Sequence, residues 1–172
     1  MNLLLLSPDQ ISDNCALIHG RQLEHLLAVQ RAEVGDKVRL GLVDGLMGEG
    51  LIRELDDQRI TLDITLDIQP PTPLPLTVVL ALPRPKMLRR TLQTIAAMGV
   101  KKIYLINSSR VEKSFWQSPF LKPEALEEQL ILGLEQARDT VMPEIFLRKL
   151  FKPFVEDELG EIVAGSKALV AH

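Results

Sequence analysis

A single cysteine, Cys15, among 172 residues excludes an intrachain disulfide and a cysteine-built zinc site. The three histidines, His19, His25 and His172, do not stand at metal-ligand spacing from one another, so no metal is expected. Long apolar runs are missing too. Leu3–Leu6 is too short for a signal sequence or a membrane span and has no basic lead-in, so the expectation is a soluble, cytoplasmic protein with no membrane partner. There is no glycine-rich dinucleotide fingerprint, no phosphate-loop GK[ST], and no Ser or Cys in a nucleophile-elbow context. Acid is the most telling absence. No Asp or Glu occurs between Ile68 and Val111, where Arg84, Lys86, Arg89, Arg90, Lys101, Lys102 and Arg110 place seven positive charges. The whole chain totals −3 with a pI near 5.7, which leaves −10 for the rest and excludes indiscriminate nucleic-acid binding. Any RNA or DNA contact must be local.

The acid-free stretch reads as a β-α-β unit. Val78–Leu82 is apolar without alternation, as in a strand covered on both faces. A loop, Pro83-Arg84-Pro85-Lys86, leads to a helix from Met87 to Met98, with Leu88, Leu92 and Ile95 at helical spacing and Gly99 as the stop. A second strand follows over Lys101–Ile106. Cations crowd the first turn of that helix, where the macrodipole disfavours them. One reading is an anion docked at the helix N-terminus, nucleic acid or a phosphorylated ligand. The other is a solvated basic face whose cations pair with distant acids.

Before this unit the pattern is β-rich. Asn2–Leu6 reads as a strand, followed by an irregular stretch through Gly20 and a short amphipathic helix carrying Leu23, Leu26, Leu27 and Val29. Strands are expected over Lys37–Val43, Glu49–Leu55 and Arg59–Ile68, with turns at Asp44-Gly45 and Asp56-Asp57. Ile60, Leu62, Ile64, Leu66 and Ile68 alternate without a break. Such short, turn-separated strands suit a compact barrel. The segment 69–75 holds four prolines and can join neither helix nor ladder. The expected organisation is therefore a β-rich module over 1–69, a proline-rich linker over 70–75, and an α/β unit over 76–172.

In the last part Pro123 suits the first turn of a helix reaching about Arg138, with Leu126, Leu130, Leu134 and Ala137 on one face. A strand over Glu144–Arg148, a helix opened by Pro153 with Val155, Leu159 and Ile162 inward, and a strand over Lys167–Ala171 complete a β-α-β-α-β-α-β order. That order implies a mostly parallel sheet with helices on its faces. No loop follows the final strand, where a doubly wound unit builds its site, so the chain reads as a fragment.

Other polar groups have bland explanations beside sharp ones. Gly45, Gly48 and Gly50 suit a hairpin better than a ligand. Glu135 and Gln136 read as a solvated helix face or a ligand contact, His25 as packing or surface or a catalytic group, and Phe115-Trp116 as buried packing or a base-stacking platform.

The run His25-Leu26, Val29-Gln30-Arg31, Gly35-Asp36 and Asp44-Gly45 resembles the amino-terminal module of the RsmE family. So do Lys86-Met87, Gly99-Val100, Ser109-Arg110, Glu135-Gln136 and Pro143-Glu144-Ile145, in the same order along nearly the whole chain. That resemblance implies a PUA-like β-barrel that grips RNA, then a SPOUT-type methyltransferase domain ending in a trefoil knot. It implies methylation of N3 of a uridine in 16S ribosomal RNA with S-adenosyl-L-methionine, and a homodimer in the full-length protein. The family's cofactor loop, the knot and the catalytic residues would lie beyond His172, leaving this chain inactive alone. With that resemblance, His25 and Arg31 are assigned as RNA contacts in the first module, Arg84, Arg89 and Arg90 as phosphate contacts in the second, and Lys86 and Arg110 to RNA or cofactor-side electrostatics. A non-catalytic RNA-binding protein derived from the family, and an enzyme binding a phosphorylated metabolite through Arg84–Arg90, are the alternatives.

Overall fold

Six strands of the first part share one curled sheet in the computed structural model, which describes residues 2–171. They are β1 (Leu4–Leu6), β2 (Ile11–Ser12), β3 (Cys15–Ile18), β4 (Lys37–Leu42), β5 (Met47–Leu55) and β6 (Ile60–Ile68), in the spatial order β1-β4-β5-β6-β3-β2. Only β1 and β4 pair in parallel. The alternation in β6 does what period two requires: Ile60, Leu62 and Ile64 are buried with Leu6, Leu40 and Ile52. The stretch before Gly20 is not irregular, because β2 and β3 occupy it. Cys15–Ile18 is too short to show a period, and its ladder partner is β6, more than 40 positions away. Helix α1 (Gly20–His25) continues into a π-turn (Leu26–Gln30) that seats Leu23 and Leu26 in the same core. Val29, expected inward, is exposed, since the wider turn shifts the phase of the residues beyond it.

The second part holds a three-stranded parallel sheet, β7 (Leu74–Ala81), β8 (Val100–Ile106) and β9 (Glu144–Arg148), with β8 central. Helices α2 (Pro85–Ala97) and α3 (Pro123–Ala137) cover one face, where Leu88, Leu92, Leu126 and Leu130 meet Ile103 and Leu105. Gly99 leaves α2 at φ +83, the left-handed stop its position predicts. Gln93 donates to Gln129 at 2.7 Å, and a Cβ at Gly133 would lie 2.8 Å from that of Ala96. The two helices therefore run side by side in the same direction, from the carboxyl to the amino edge of the sheet. On the opposite face α4 (Phe151–Pro153), a π-turn (Phe154–Glu158) and α5 (Leu159–Val163) cover β8 and β9. Phe154 is buried there beside Tyr104, which stacks on Phe146 at 4.7 Å. Phe154 takes the inward place expected of Val155, which is exposed.

Three further expectations are corrected. Strand β7 is a sheet edge, with Leu74, Leu76 and Val79 exposed, rather than a strand covered on both faces. It begins at Leu74 and takes in Pro75. An edge tolerates a residue without an N–H, and pairing shifts between Leu74 and Thr77 to pass it. Lys167–Ala171 forms no strand; Leu169 and Val170 are exposed and find no partner ladder, while His172 lies outside the described residues.

The two parts are docked against each other. Leu3 and Leu5, on the back of β1, pack with Leu134 of α3. The amide of Asp44 donates to the Thr140 carbonyl at 2.8 Å, Thr140 Oγ1 to the Gly45 carbonyl at 2.6 Å, and the Met142 amide to Asp44 Oδ1 at 2.7 Å. The amino edge of the parallel sheet is thereby pressed against the first part.

Candidate nucleic-acid interface

All three parallel strands end at one level. Leu82 N–H donates to the Ile106 carbonyl at 2.9 Å and Asn107 N–H to the Arg148 carbonyl at 3.1 Å. The first turn of α2 opens above this carboxyl edge, with Arg84 as N-cap, Pro85 at the first helical position and no acid. Lys86, expected in the loop, stands inside that turn. Arg89 and Arg90 follow about one turn on, and Arg110 sits in the turn after β8. All five are exposed, and among the described residues none of them forms an ion pair with a carboxylate. The Arg89 guanidinium lies 5.2 Å from the Phe120 ring, a cation–π contact that ties α2 to the segment before α3.

That segment is held in place by aromatics. Trp116 Nε1 donates to Asn107 Oδ1 at 3.2 Å, and Lys149 Nζ lies 5.9 Å from the Trp116 ring. Phe115 and Trp116 are half-buried against the second core, as the packing reading has it. Gly48 and Gly50 lie within β5 next to the Asp44-Gly45 turn, as a hairpin requires.

Not every cation of the acid-free stretch belongs to this edge. Lys101 and Lys102 lie at the start of β8, at the other end of the sheet. The Lys101 side chain is largely buried and its Nζ donates to Asp139 Oδ2 at 2.6 Å and to the Val141 carbonyl at 2.7 Å. For Lys101 the pairing reading is the right one.

His25 and Arg31 also lie away from the carboxyl edge. Both belong to the part docked at the amino edge, and α3, with 15 residues, separates the two edges by roughly 22 Å at 1.5 Å per residue. His25 closes α1, and partial burial, the largest cause, holds its imidazole below the usual pKa, with Glu135 pulling the other way. Arg31 is exposed in the left-handed conformation, at φ 52.

Sequence reasoning missed the inter-part clasp. Glu135 is buried at 2% exposure instead of lying on a solvated face; Gln136 alone is exposed. Arg21 Nη1 and Nη2 donate to the two Glu135 carboxylate oxygens at 2.9 and 3.0 Å, and Gln22 Nε2 adds a bond at 3.3 Å. Arg21 and Glu135 are 114 positions apart, and no local pattern connects them.

An open parallel sheet with an unpaired basic rim beside a helix N-terminus defines an α/β unit of the anion-binding class. Comparison with known proteins narrows that class. Residues 70–172 match the RNA methyltransferase domain family, and the chain belongs to it. It is similar to the ribosomal RNA small subunit methyltransferase E of Treponema pallidum, 27% identical over 157 residues that cover 90% of this chain and 59% of that protein. It also resembles ribosomal RNA small subunit methyltransferase E 1 of Borreliella burgdorferi, 26% identical over 169 residues, 94% of this chain and 69% of the relative. In fold it matches the Neisseria gonorrhoeae ribosomal RNA small subunit methyltransferase E solved with S-adenosyl methionine bound. The TM-score there is 0.63 at 19% identity, over 86% of this chain and 62% of that one. The chain thus spans about three fifths of the Treponema relative's length.

Proposed function

We propose that the protein acts on ribosomal RNA as a methyltransferase using S-adenosyl-L-methionine. In this reading the target is N3 of a uridine in 16S rRNA, the setting is the cytoplasm, and the full-length protein is a homodimer. Among the described residues no helix is long and apolar enough to cross a membrane. Residues 1–69 are proposed as a PUA-like module, 70–75 as its linker, and 76–172 as the amino-terminal part of a SPOUT-type domain whose knot lies in the portion of the relatives not spanned here. Arg84, Lys86, Arg89, Arg90 and Arg110 are the proposed phosphate contacts of the second unit, with His25 and Arg31 as contacts of the first.

The observation that carries the reading is the set of five exposed, unpaired cations on the carboxyl edge, inside the segment that matches the family. A polyanion is what such an edge attracts. The methyl donor is a different matter. Its sulfonium and ammonium groups are positive and find no anionic partner among these five residues; only its carboxylate suits these cations. A protein that binds RNA without methylating it would use the same edge, and methyl transfer from labelled donor to rRNA separates the two readings.

Charge reversal of the pair Arg89→Glu and Arg90→Glu is expected to weaken binding to a small-subunit rRNA transcript and to flatten its salt dependence. Unchanged affinity and slope would take both residues out of the interface.

A further inference from the structure

The distribution of charge between the two parts is lopsided in a way the resemblance does not anticipate. Residues 2–69 carry twelve Asp and Glu against six Lys and Arg, a net −6, whereas residues 70–171 are net +3. Four of the six cations in the first part are engaged: Arg21 with Glu135, Lys37 with Glu49, Arg53 with Asp63 and Arg59 with Asp56. Only Arg31 and Arg39 make no ion pair there among the described residues. A module expected to grip RNA therefore presents a field that repels it.

The carboxyl edge has the opposite character, and it is wider than the acid-free stretch. Three more exposed lysines reach it from separate elements. Lys113 opens the short helical turn Lys113–Gln117 after β8. Lys149 directly follows β9 and lies against Trp116. Lys122 is the N-cap of α3. Because Gln129 pairs with Gln93 on parallel helices, Lys122 stands level with Lys86. None of the three is ion-paired among the described residues. Carboxylates share the rim too: Glu112, which accepts from Ser114 Oγ at 3.4 Å, Glu124 in the first turn of α3, and Glu158, which is paired with Arg148 at the end of β9. They are outnumbered by eight cations drawn from three strand ends and two helix starts.

We propose that the phosphate grip on RNA is concentrated at this carboxyl edge and extends over Lys113, Lys122 and Lys149. The acidic first part braces the edge through its dock and carries little of the salt-dependent affinity. His25 and Arg31 are left for local contacts. This rests on the RNA reading above.

The test is the slope of log affinity against log salt for the full chain on a small-subunit rRNA transcript. Each lost phosphate contact removes about 0.7 from a single-strand slope. The triple variant Lys113→Gln, Lys122→Gln, Lys149→Gln is expected to lose about 2 from the slope, so that the affinity drop between 50 and 200 mM salt shrinks roughly 16-fold. The double variant Lys37→Gln, Arg39→Gln, at two exposed cations of β4, is expected to keep the wild-type slope. If the triple keeps its slope, or the double flattens it as much as the triple does, the proposal is wrong while the RNA reading stands. Wild-type protein with no salt-dependent RNA binding defeats both. Thermal melts check folding; should the triple fail to fold, each single Lys→Gln variant is expected to lose about 0.7, and three unchanged slopes would overturn the assignment.

Discussion

Glu135 is a carboxylate removed from water and matched by a guanidinium fork from the other half of the molecule. Removing one partner of a buried pair typically costs about 3–5 kcal/mol, because the other charge is stranded. Here the Arg21 side chain is 45% exposed and Gln22 remains, so Arg21→Ala should cost about 2 kcal/mol in urea unfolding. The double variant Arg21→Met, Glu135→Met should recover most of that loss, since no uncompensated charge stays behind. If the double is as unstable as the single, the cost comes from packing and not from the stranded carboxylate. His25 gives a pH signature. Its folded pKa is lowered, chiefly by burial, so the unfolded chain binds the proton more readily. The resulting stability is present above the unfolded value near 6.5 and is lost as pH falls toward the folded value. Replacing His25 with Asn should therefore narrow the gap between melting temperatures at pH 7.5 and pH 5.5, and a gap of unchanged width would assign it to other groups.

At the scale of an element, α2 accepts two costs. Its first turn places cations against the positive end of the macrodipole, a penalty of about 0.3–1 kcal/mol per charge where exposed. Lys86→Glu should therefore raise the melting temperature by a few degrees while weakening RNA binding. A variant that loses stability instead would show that Lys86 has a structural partner. The second cost is its close approach to α3. A Cβ at position 133 would meet the Gln93 carbonyl oxygen and Ala96, so Gly133→Ala should push the helices apart and cost about 1–3 kcal/mol. An unperturbed melt would mean that the α2–α3 contact yields easily.

For the whole molecule, the dock through Leu3, Leu5, Leu134, Glu135 and Thr140 should make the two parts unfold together. A single denaturant transition, coincident by far-UV and tryptophan signals, is the expected outcome. Trp116 lies in the second part only, so an early far-UV change with silent fluorescence would show that the first part melts alone.

Much of the architecture was legible because it is local. Period two in Ile60–Ile68, helical spacing in Leu88, Leu92 and Ile95, the glycine stop at Gly99 and the start of α3 at Pro123 all depend on neighbours within a few positions. The failures share a cause as well. Strand β3 borrows its ladder from β6, β7 is an edge because no strand among the described residues pairs on its outer side, and Lys167–Ala171 is strand-like in composition but pairs with no described strand. Chain order alone determined the parallel β-α-β core and placed Arg84, Lys86 and Arg110 at strand ends, since a crossover helix must start where its strand stops. Only the tertiary structure decided which charges are free. Lys101 and Glu135 looked like surface groups and are locked in pairs, while Lys113, Lys122 and Lys149 drew no notice and stand open on one rim. Whether a charge meets a partner depends on distance in space, and residues far apart along a chain carry no local record of it.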